Sequence, residues 1–272
     1  MSARNFKEGK GLEDKTRPNA LFLSVVAQFN GNISQKILEW FSSFSFISGL
    51  NDESYMGFTL KQMENEDFKQ KLLKYIKKVD LDIDDLSVEK NPKLFEKSGY
   101  ALVSEDGSIG EFFRVLTFHH RYDDKHEKLT SRAKFDLNDE SEGTQKFFGI
   151  LGLILNTLDR GSILVIDELD ARLHPFITRF ILQLFHSKQT NPNNAQLIFA
   201  THDTNLLDKD LFRRDQIWFT EKDQYGATDL YSLVEYKNVR KDASYEKDYI
   251  AGKYGAVPFI RNFEVLLGDE DE

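Results

Sequence analysis

The pattern of apolar and polar positions changes near residue 100. Before that point, apolar residues recur at helical spacing over 18–46, with a break at Asn30-Gly31-Asn32, and again over 61–78. This spacing predicts two helices in the first range and one in the second. Residues 1–17 are polar and mixed in charge, which predicts a flexible lead-in rather than part of a core.

Beyond residue 100, strand-like runs alternate with apolar helices. The predicted strands are 100–104, 111–122, 133–137, 162–166, 196–200, 216–220 and 229–233, and the predicted helices are 142–158 and 175–186. The run at 162–166 has no polar alternation, which is typical of a mostly parallel sheet covered by helices. The pattern therefore predicts an α-helical subdomain over 18–100, an α/β lobe over 101–267 and an acidic tail over 268–272.

Composition narrows the classes of protein. The chain has 272 residues, a net charge of −9 and no cysteine, which excludes disulfides, thiolate nucleophiles and cysteine-ligated metals. No apolar run is long enough to span a membrane and the N-terminus lacks a signal-peptide core, so we expect a cytoplasmic protein. The excess of acidic over basic residues argues against a surface covered with the lysine and arginine side chains that bind phosphate.

Two carboxylates follow the apolar run Ile163-Leu164-Val165-Ile166. Asp167 and Glu168 come at its carboxyl end, where open α/β sheets bind ligands. An aspartate there can hold Mg²⁺, and an adjacent glutamate can orient or deprotonate a water molecule. The alternative interpretation is a strand that ends in a solvated acidic turn.

Two further sites have both a chemical and a structural interpretation. Ser141 and Gly143 open the helix at 142–158, where a hydroxyl and free backbone N–H groups could bind an anion such as a γ-phosphate; Ser141 could equally be an ordinary N-cap. His202 follows the strand at 196–200 and could be a reactive or a structural histidine.

The order of these segments resembles a known ATPase architecture. Ser-x-Gly-x-Gln, strand-Asp-Glu, Leu-Asp and strand-Thr-His are similar to the signature motif, Walker B motif, D-loop and switch histidine of ABC-type ATPase heads, the P-loop NTPase-like group that includes SMC and RecF proteins. The segments SEGTQK, DELDARLHP, LFRRDQIWF, KYGAVPF and RPNALFLSVVAQFN resemble AAA-type ATP-binding proteins of phage-defence gene clusters. Those proteins are related to the RloA group and, more distantly, to the OLD nucleases.

The resemblance implies ATP and Mg²⁺ as ligands and gives each motif residue a role. The implied nucleotide-binding residues are Ser141, Gly143, Gln145 and, at a dimer interface, Asp170. Asp167 would support Mg²⁺, Glu168 would be the catalytic base, and His202 would sense the γ-phosphate.

One motif of the family is missing from the sequence. The phosphate-binding Walker A pattern G-x-x-x-x-G-K-[ST] does not occur, and Gly9-Lys10-Gly11 and Gly252-Lys253-Tyr254-Gly255 lack its spacing. No Q-loop glutamine can be assigned. We therefore expect the C-terminal part of such an ATPase, which binds ATP weakly or not at all by itself and offers its signature motif to a complete head.

Three functions follow as hypotheses. The first is an ATPase subunit, as a homodimer or with a complete ATPase subunit, whose ATP-driven dimerisation gates an effector nuclease or toxin in phage defence. The second is a non-catalytic interaction or regulatory module. An OLD-type nuclease is set aside, because about 70 residues after His202 leave little room for its second domain.

Two other features are weaker signals. His119 and His120 could form a metal pair, but neighbouring strand residues face opposite ways. The segment Lys237–Lys253 could contact nucleic acid, although a solvated surface explains its mixed charge equally well.

Overall fold

The computed structural model describes residues 7–51, 53–79, 82–90, 99–103, 109–237 and 244–257. The chain divides into two compact units, Met1–Thr201 and His202–Glu272. The helices are α1 (Phe22–Gln28), α2 (Asn32–Phe41), α3 (Glu53–Gln62), α4 (Glu66–Ile76), α5 (Glu142–Arg160), α6 (Pro175–His186) and α7 (Tyr245–Ile250). The strands are β1 (Phe44–Ser48), β2 (Asp85–Lys90), β3 (Tyr100–Val103), β4 (Ile109–Tyr122), β5 (Lys128–Asp136), β6 (Ile163–Asp167), β7 (Gln196–Phe199), β8 (Trp218–Lys222) and β9 (Thr228–Ser232).

A parallel sheet forms the centre of the first unit. Its order is β1-β6-β7, with α5 packed against β6 and α6 against β7. Helix packing buries Leu164 and Ile166 completely on one row of β6. The P-loop NTPase-like α/β fold predicted from the sequence is confirmed.

The opposite row of this sheet is open. Phe46, Val165 and Ile198 lie side by side in register on β1, β6 and β7. Phe46 is 71% exposed and Ile198 is 52% exposed. A parallel sheet is normally covered on both faces, so this row is an unusual exposed apolar surface. We call these three residues the open row.

Strands also occur within the predicted α-helical subdomain. β1 and β2 both lie within 18–100, so that region is not purely α-helical. β1 was not predicted as a strand, because its aromatic residues directly continue the apolar run of α2 and fit the same helical pattern. The predicted helices within 18–46 are confirmed, and 61–78 contains α4.

The strands between 100 and 137 form a separate antiparallel sheet. β4 pairs with β2 and β3, and the end of β4 also pairs with β5. These strands were correctly predicted as strands, but they do not join the parallel sheet.

Helix α5 has clear signals at both ends. The Ser141 hydroxyl accepts a hydrogen bond from the Thr144 N–H, and Gly161 ends the helix with φ of 63°. Glycines in its middle let α3 approach closely, because a Cβ on Gly152 would lie 2.1 Å from Oγ1 of Thr59. Neither α5 nor any other helix in the described ranges is both long and apolar enough to cross a membrane.

The segment before α1 is attached to the helical region. Both carboxylate oxygens of Glu8 accept hydrogen bonds at the start of α2, from the Ile33 N–H at 3.0 Å and the Ser34 N–H at 2.7 Å. The Ser34 hydroxyl donates a third at 2.6 Å. Residues 7–17, expected to be a flexible lead-in, therefore include a fixed contact with α2.

The second unit has its own small core. Ile217, Phe219, Leu233 and Tyr254 are buried together around the hairpin β8-β9. The hydroxyl of Tyr231 donates to the backbone carbonyl of Tyr254 at 2.8 Å, which ties the hairpin to the segment that follows α7.

Candidate functional site

The carboxyl edge of the parallel sheet carries the first part of the site. Asp167 ends β6 and is exposed, and Ser48 ends β1 in register with it. The Gly49 N–H donates to the Asp167 carbonyl at 2.6 Å. A Cβ on Gly49 would lie 2.1 Å from the Glu168 carbonyl oxygen, so only glycine fits between β1 and the residues after β6.

The residues after β6 form a tight loop, 168–172, which we call the β6 loop. Glu168 has φ of 53° and Arg172 has φ of 61°, left-handed conformations that are uncommon without glycine. The N–H of the fully buried Leu169 donates to the Ala200 carbonyl beyond β7 at 3.1 Å. Among the described residues, Oδ1 of Asp170 is buried and has no hydrogen-bond partner.

The N-terminus of α5 lies directly against the β6 loop. A Cβ on Gly143 would come within 2.9 Å of the Arg172 carbonyl oxygen, so glycine is required for this approach. The Ser141 hydroxyl lies 2.9 Å from the Thr144 hydroxyl and caps the helix, as the simpler interpretation of the sequence predicted. Capping leaves the first backbone N–H groups of α5 as the main anion-binding donors at this position.

A buried lysine joins these two elements. Lys146 is 0% exposed, and its ammonium group donates to the carbonyls of Glu168, Leu169 and Ala171 at 3.4, 3.1 and 2.5 Å. Sequence reasoning missed this residue. A lysine on the apolar side of an amphipathic helix, directly after the Ser-x-Gly-x-Gln segment, was the available signal.

The side chain of Gln145 is used within the protein. Its amide donates to the backbone carbonyls of Glu140 at 2.8 Å and Asn138 at 3.3 Å, which stabilises the turn before α5. The Glu140 carboxylate accepts from the Thr117 hydroxyl at 2.5 Å and pairs with His119 at 2.7 Å. The turn before α5 is thereby attached to β4.

The two neighbouring histidines have separate partners. Nε2 of His119 lies 2.7 Å from Glu140, whereas Nε2 of His120 lies 2.9 Å from Asp84. Despite a cost from partial burial, the positive charges of His120, Lys77 and Arg132 lower the pKa of the Asp84 carboxyl group. The described residues contain no group of three or more histidine and acidic side chains able to hold a metal ion.

The predicted site residues are only partly brought together. The close contacts that Gly49, Gly143 and Lys146 make with the β6 loop hold the start of α5 and the end of β6 together. The predicted site residues that this arrangement gathers are Ser141, Gly143, Asp167, Glu168 and Asp170. His202 is exposed and belongs to the second unit.

The two glycine-lysine segments do not resemble phosphate loops. Gly9 ends a short 3-10 turn, and Gly11 has φ of 82° in the turn that follows. Gly252 and Gly255 come after helix α7, whereas a phosphate-binding loop precedes its helix.

Comparison with known proteins identifies a family. No protein of curated function matches the chain. A family model described as "AAA domain, putative AbiEii toxin, Type IV TA system" matches residues 14–208, a range that contains the parallel sheet, α5 and the β6 loop. Since the match covers well over half of the sequence, the chain belongs to this family of AAA domains.

Proposed function

We propose that the chain is an ATP-binding and ATP-hydrolysing subunit of the ABC type, with its Mg²⁺ ligand Asp167 at the end of β6 and its catalytic base Glu168 at the start of the β6 loop. The observation that carries this proposal is the contact between the N-terminus of α5 and the β6 loop, where Gly143 packs against the Arg172 carbonyl. The same loop begins at Glu168, directly after Asp167 at the end of β6. Membership of an AAA domain family supports a nucleotide as the ligand.

The residues at the sheet edge fit Mg²⁺ bound together with a nucleotide. Asp167 is an exposed carboxylate at the end of a central strand. Mg²⁺ retains water and is commonly held by one or two carboxylates plus substrate phosphates, so it needs no large cluster of protein ligands. When bound, the ion would neutralise charge on the phosphates.

The other side chains would act on the water and the phosphate. Glu168 follows Asp167 and would accept a proton from the attacking water. The first N–H groups of α5, with Gly143 permitting close approach, would bind a γ-phosphate. Asp170 would lie at a dimer interface, Gln145 would support the turn before α5, and His202 would sense the γ-phosphate.

We further propose that the nucleotide is shared with a second polypeptide. The sequence has no Walker A pattern, and the open row leaves an apolar surface on the sheet that carries Asp167. A complete ATPase subunit would supply the phosphate loop, whereas a second copy of the chain, which also lacks the Walker A pattern, could supply only the missing cover. Nucleotide-driven association would then gate an effector nuclease or toxin, and the resemblance to RloA-like and OLD-related proteins supplies phage defence as the context.

Titration with Mg-ATP tests the proposal, with the full chain in a complex that includes a subunit with a phosphate-binding loop. In that complex we expect Glu168→Gln to bind Mg-ATP and to shift towards a closed dimer in analytical ultracentrifugation, because binding is retained while hydrolysis is slowed. Asp167→Asn is expected to lose the Mg²⁺-dependent part of binding. Asp159→Asn is the matched control, since Asp159 pairs only with Lys71 among the ion pairs described, on the far end of α5.

A non-catalytic interaction module is the second candidate. The missing Walker A pattern and the use of Gln145 within its own turn favour it. Equal behaviour of Asp167→Asn, Glu168→Gln and Asp159→Asn towards Mg-ATP, in binding and in dimerisation, would reject the ATPase proposal and support this module.

A further inference from the structure

We propose that Lys146 is a positioning residue that clamps the β6 loop onto α5 and thereby fixes the backbone at and directly after the proposed base, Glu168. Its importance for catalysis rests on the proposed function. The clamp itself is a property of the nucleotide-free chain and can be tested separately.

The burial of Lys146 indicates a specific role. Lysine is rarely buried completely, because its ammonium group loses its hydration. Here the side chain is 0% exposed, and three carbonyls of one loop accept from it, the nearest being that of Ala171 at 2.5 Å. Hydrogen bonds from a charged donor are stronger than neutral ones, so losing the ammonium would leave these buried acceptors unsatisfied.

The β6 loop needs such a clamp. Glu168 and Arg172 both hold left-handed backbone conformations, and Oδ1 of Asp170 is buried without a hydrogen-bond partner among the described residues. Strained features of this kind persist only when the surrounding structure over-determines them. Within the loop itself, the Ala171 N–H reaches the Glu168 carbonyl only at 3.3 Å.

The clamp also connects the two halves of the proposed site. Lys146 lies one helical turn after Gly143, where an added Cβ would come within 2.9 Å of the Arg172 carbonyl oxygen. Helix α5 therefore touches the β6 loop through a close backbone approach and through an ammonium group. Movement of the first turn of α5 would be transmitted to the peptide groups beside Glu168.

Hydrogen–deuterium exchange of the full chain without nucleotide tests this proposal. In Lys146→Met, which keeps the length of the side chain but not its charge, we expect amides of 168–173 to exchange roughly ten- to a hundredfold faster. The control is Lys71→Met, the same change at a partly exposed lysine on α4 that pairs with Asp159. The control is expected to leave exchange of 168–173 unchanged.

The distribution of the change separates a clamp from a residue that merely fills space. Faster exchange confined to 168–173 supports the clamp, whereas unchanged exchange there, or an equal increase throughout α5 and β6, overturns it. If Lys146→Met does not fold, Lys146→Gln is judged by the same pattern, because glutamine is polar but lacks the charge of lysine and the length to reach all three carbonyls. Since no nucleotide is present, a failure of Asp167→Asn to alter Mg-ATP binding would not affect this result.

Discussion

Glu8 shows how one carboxylate can attach a chain segment to a helix. Its oxygens accept hydrogen bonds from the Ser34 hydroxyl and from the N–H groups of Ile33 and Ser34, at the positive end of the α2 dipole. Because these bonds favour the ionised form, first through the Ser34 hydroxyl, they lower the pKa of Glu8 from 4.5. A carboxyl group with a lowered folded-state pKa stabilises the fold above its unfolded pKa and loses that effect as the pH falls.

We therefore predict that Glu8→Gln reduces stability at pH 7 and that the difference from the parent chain shrinks as the pH falls below about 4.5. Urea unfolding at several pH values measures the difference. Glu13→Gln is a nearby control with a local bond to the Gly11 N–H. A difference that stays constant from pH 7 to pH 3 would contradict the assignment.

For Tyr254 the pKa is shifted upwards, so its effect on stability is expected at alkaline rather than acidic pH. Burial, followed by its hydrogen bond to Asp248 at 3.1 Å, raises the pKa of Tyr254 to about 12. The folded chain thus holds this proton more tightly than the unfolded chain, so stability is expected to fall as the pH rises above 10 towards 12. Tyr254→Phe should weaken this dependence, as measured by denaturant unfolding between pH 9 and pH 11, whereas the exposed Tyr225→Phe should not.

Individual site residues differ in how well the sequence revealed them. The position of Asp167 and Glu168 at the end of a strand could be predicted from the apolar run before them, whereas their chemical role stays a prediction. Lys146 was not identified, because lysine in a helix is normally exposed and its three acceptors lie more than twenty residues away. The internal use of Gln145 was likewise invisible, because it depends on the path of the turn before α5.

Helix α5 illustrates what can be predicted for an element. Its cap, apolar stripe and final glycine are local features, so its range was predicted to within two residues at the carboxyl end. β1 was missed because a five-residue strand has little pattern of its own and is defined by pairing with β6, more than a hundred residues later. The sheet to which each other strand belongs also depends on its pairing partner, which the pattern of that strand alone does not give.

The crossing of α3 and α5 gives a prediction at this scale. Gly152→Ala would place a methyl group against Thr59, where a Cβ lies 2.1 Å from Oγ1 and 2.7 Å from Cβ. We expect a loss of about 1–3 kcal/mol in the free energy of unfolding, despite the better helix propensity of alanine. Denaturant unfolding measures it.

The double variant supplies the control for this crossing. Thr59→Gly should cost less in the Gly152→Ala background than in the parent chain, because it removes the atoms that the new methyl group would contact. Additive effects of the two substitutions would show that the helices do not meet at this point.

The open row matters at the scale of the molecule. Ile166 and Ile198 lie in neighbouring strands of one sheet, yet Ile166 is fully buried and Ile198 is 52% exposed. We predict that Ile166→Thr costs about 2–4 kcal/mol, through lost packing and a buried hydroxyl, whereas Ile198→Thr changes stability by about 0.5 kcal/mol or less. Similar losses for the two variants, measured by urea unfolding, would mean that the row is covered in the isolated chain.

The family match and the two units divide the molecule differently. Residues 14–208 cover most of the first unit but only the start of the second, so the hairpin β8-β9 and α7 lie outside the matched range. The fold class could be predicted because apolar strands that alternate with amphipathic helices indicate a parallel sheet with helices packed on it. The sequence could not show whether both faces of the sheet are covered, because an apolar residue is the same in sequence whether or not another element packs on it.

The open row also has a consequence for sequence conservation. A side chain that faces water throughout the life of a protein is free to drift to polar types, whereas one that is covered in the working assembly is not. The residues found at positions 46, 165 and 198 in homologous proteins therefore report on this face of the sheet. Apolar residues that persist at all three positions would indicate that a partner covers the face in the working assembly. Free exchange for serine, lysine or glutamate would mark a surface that has always been bare.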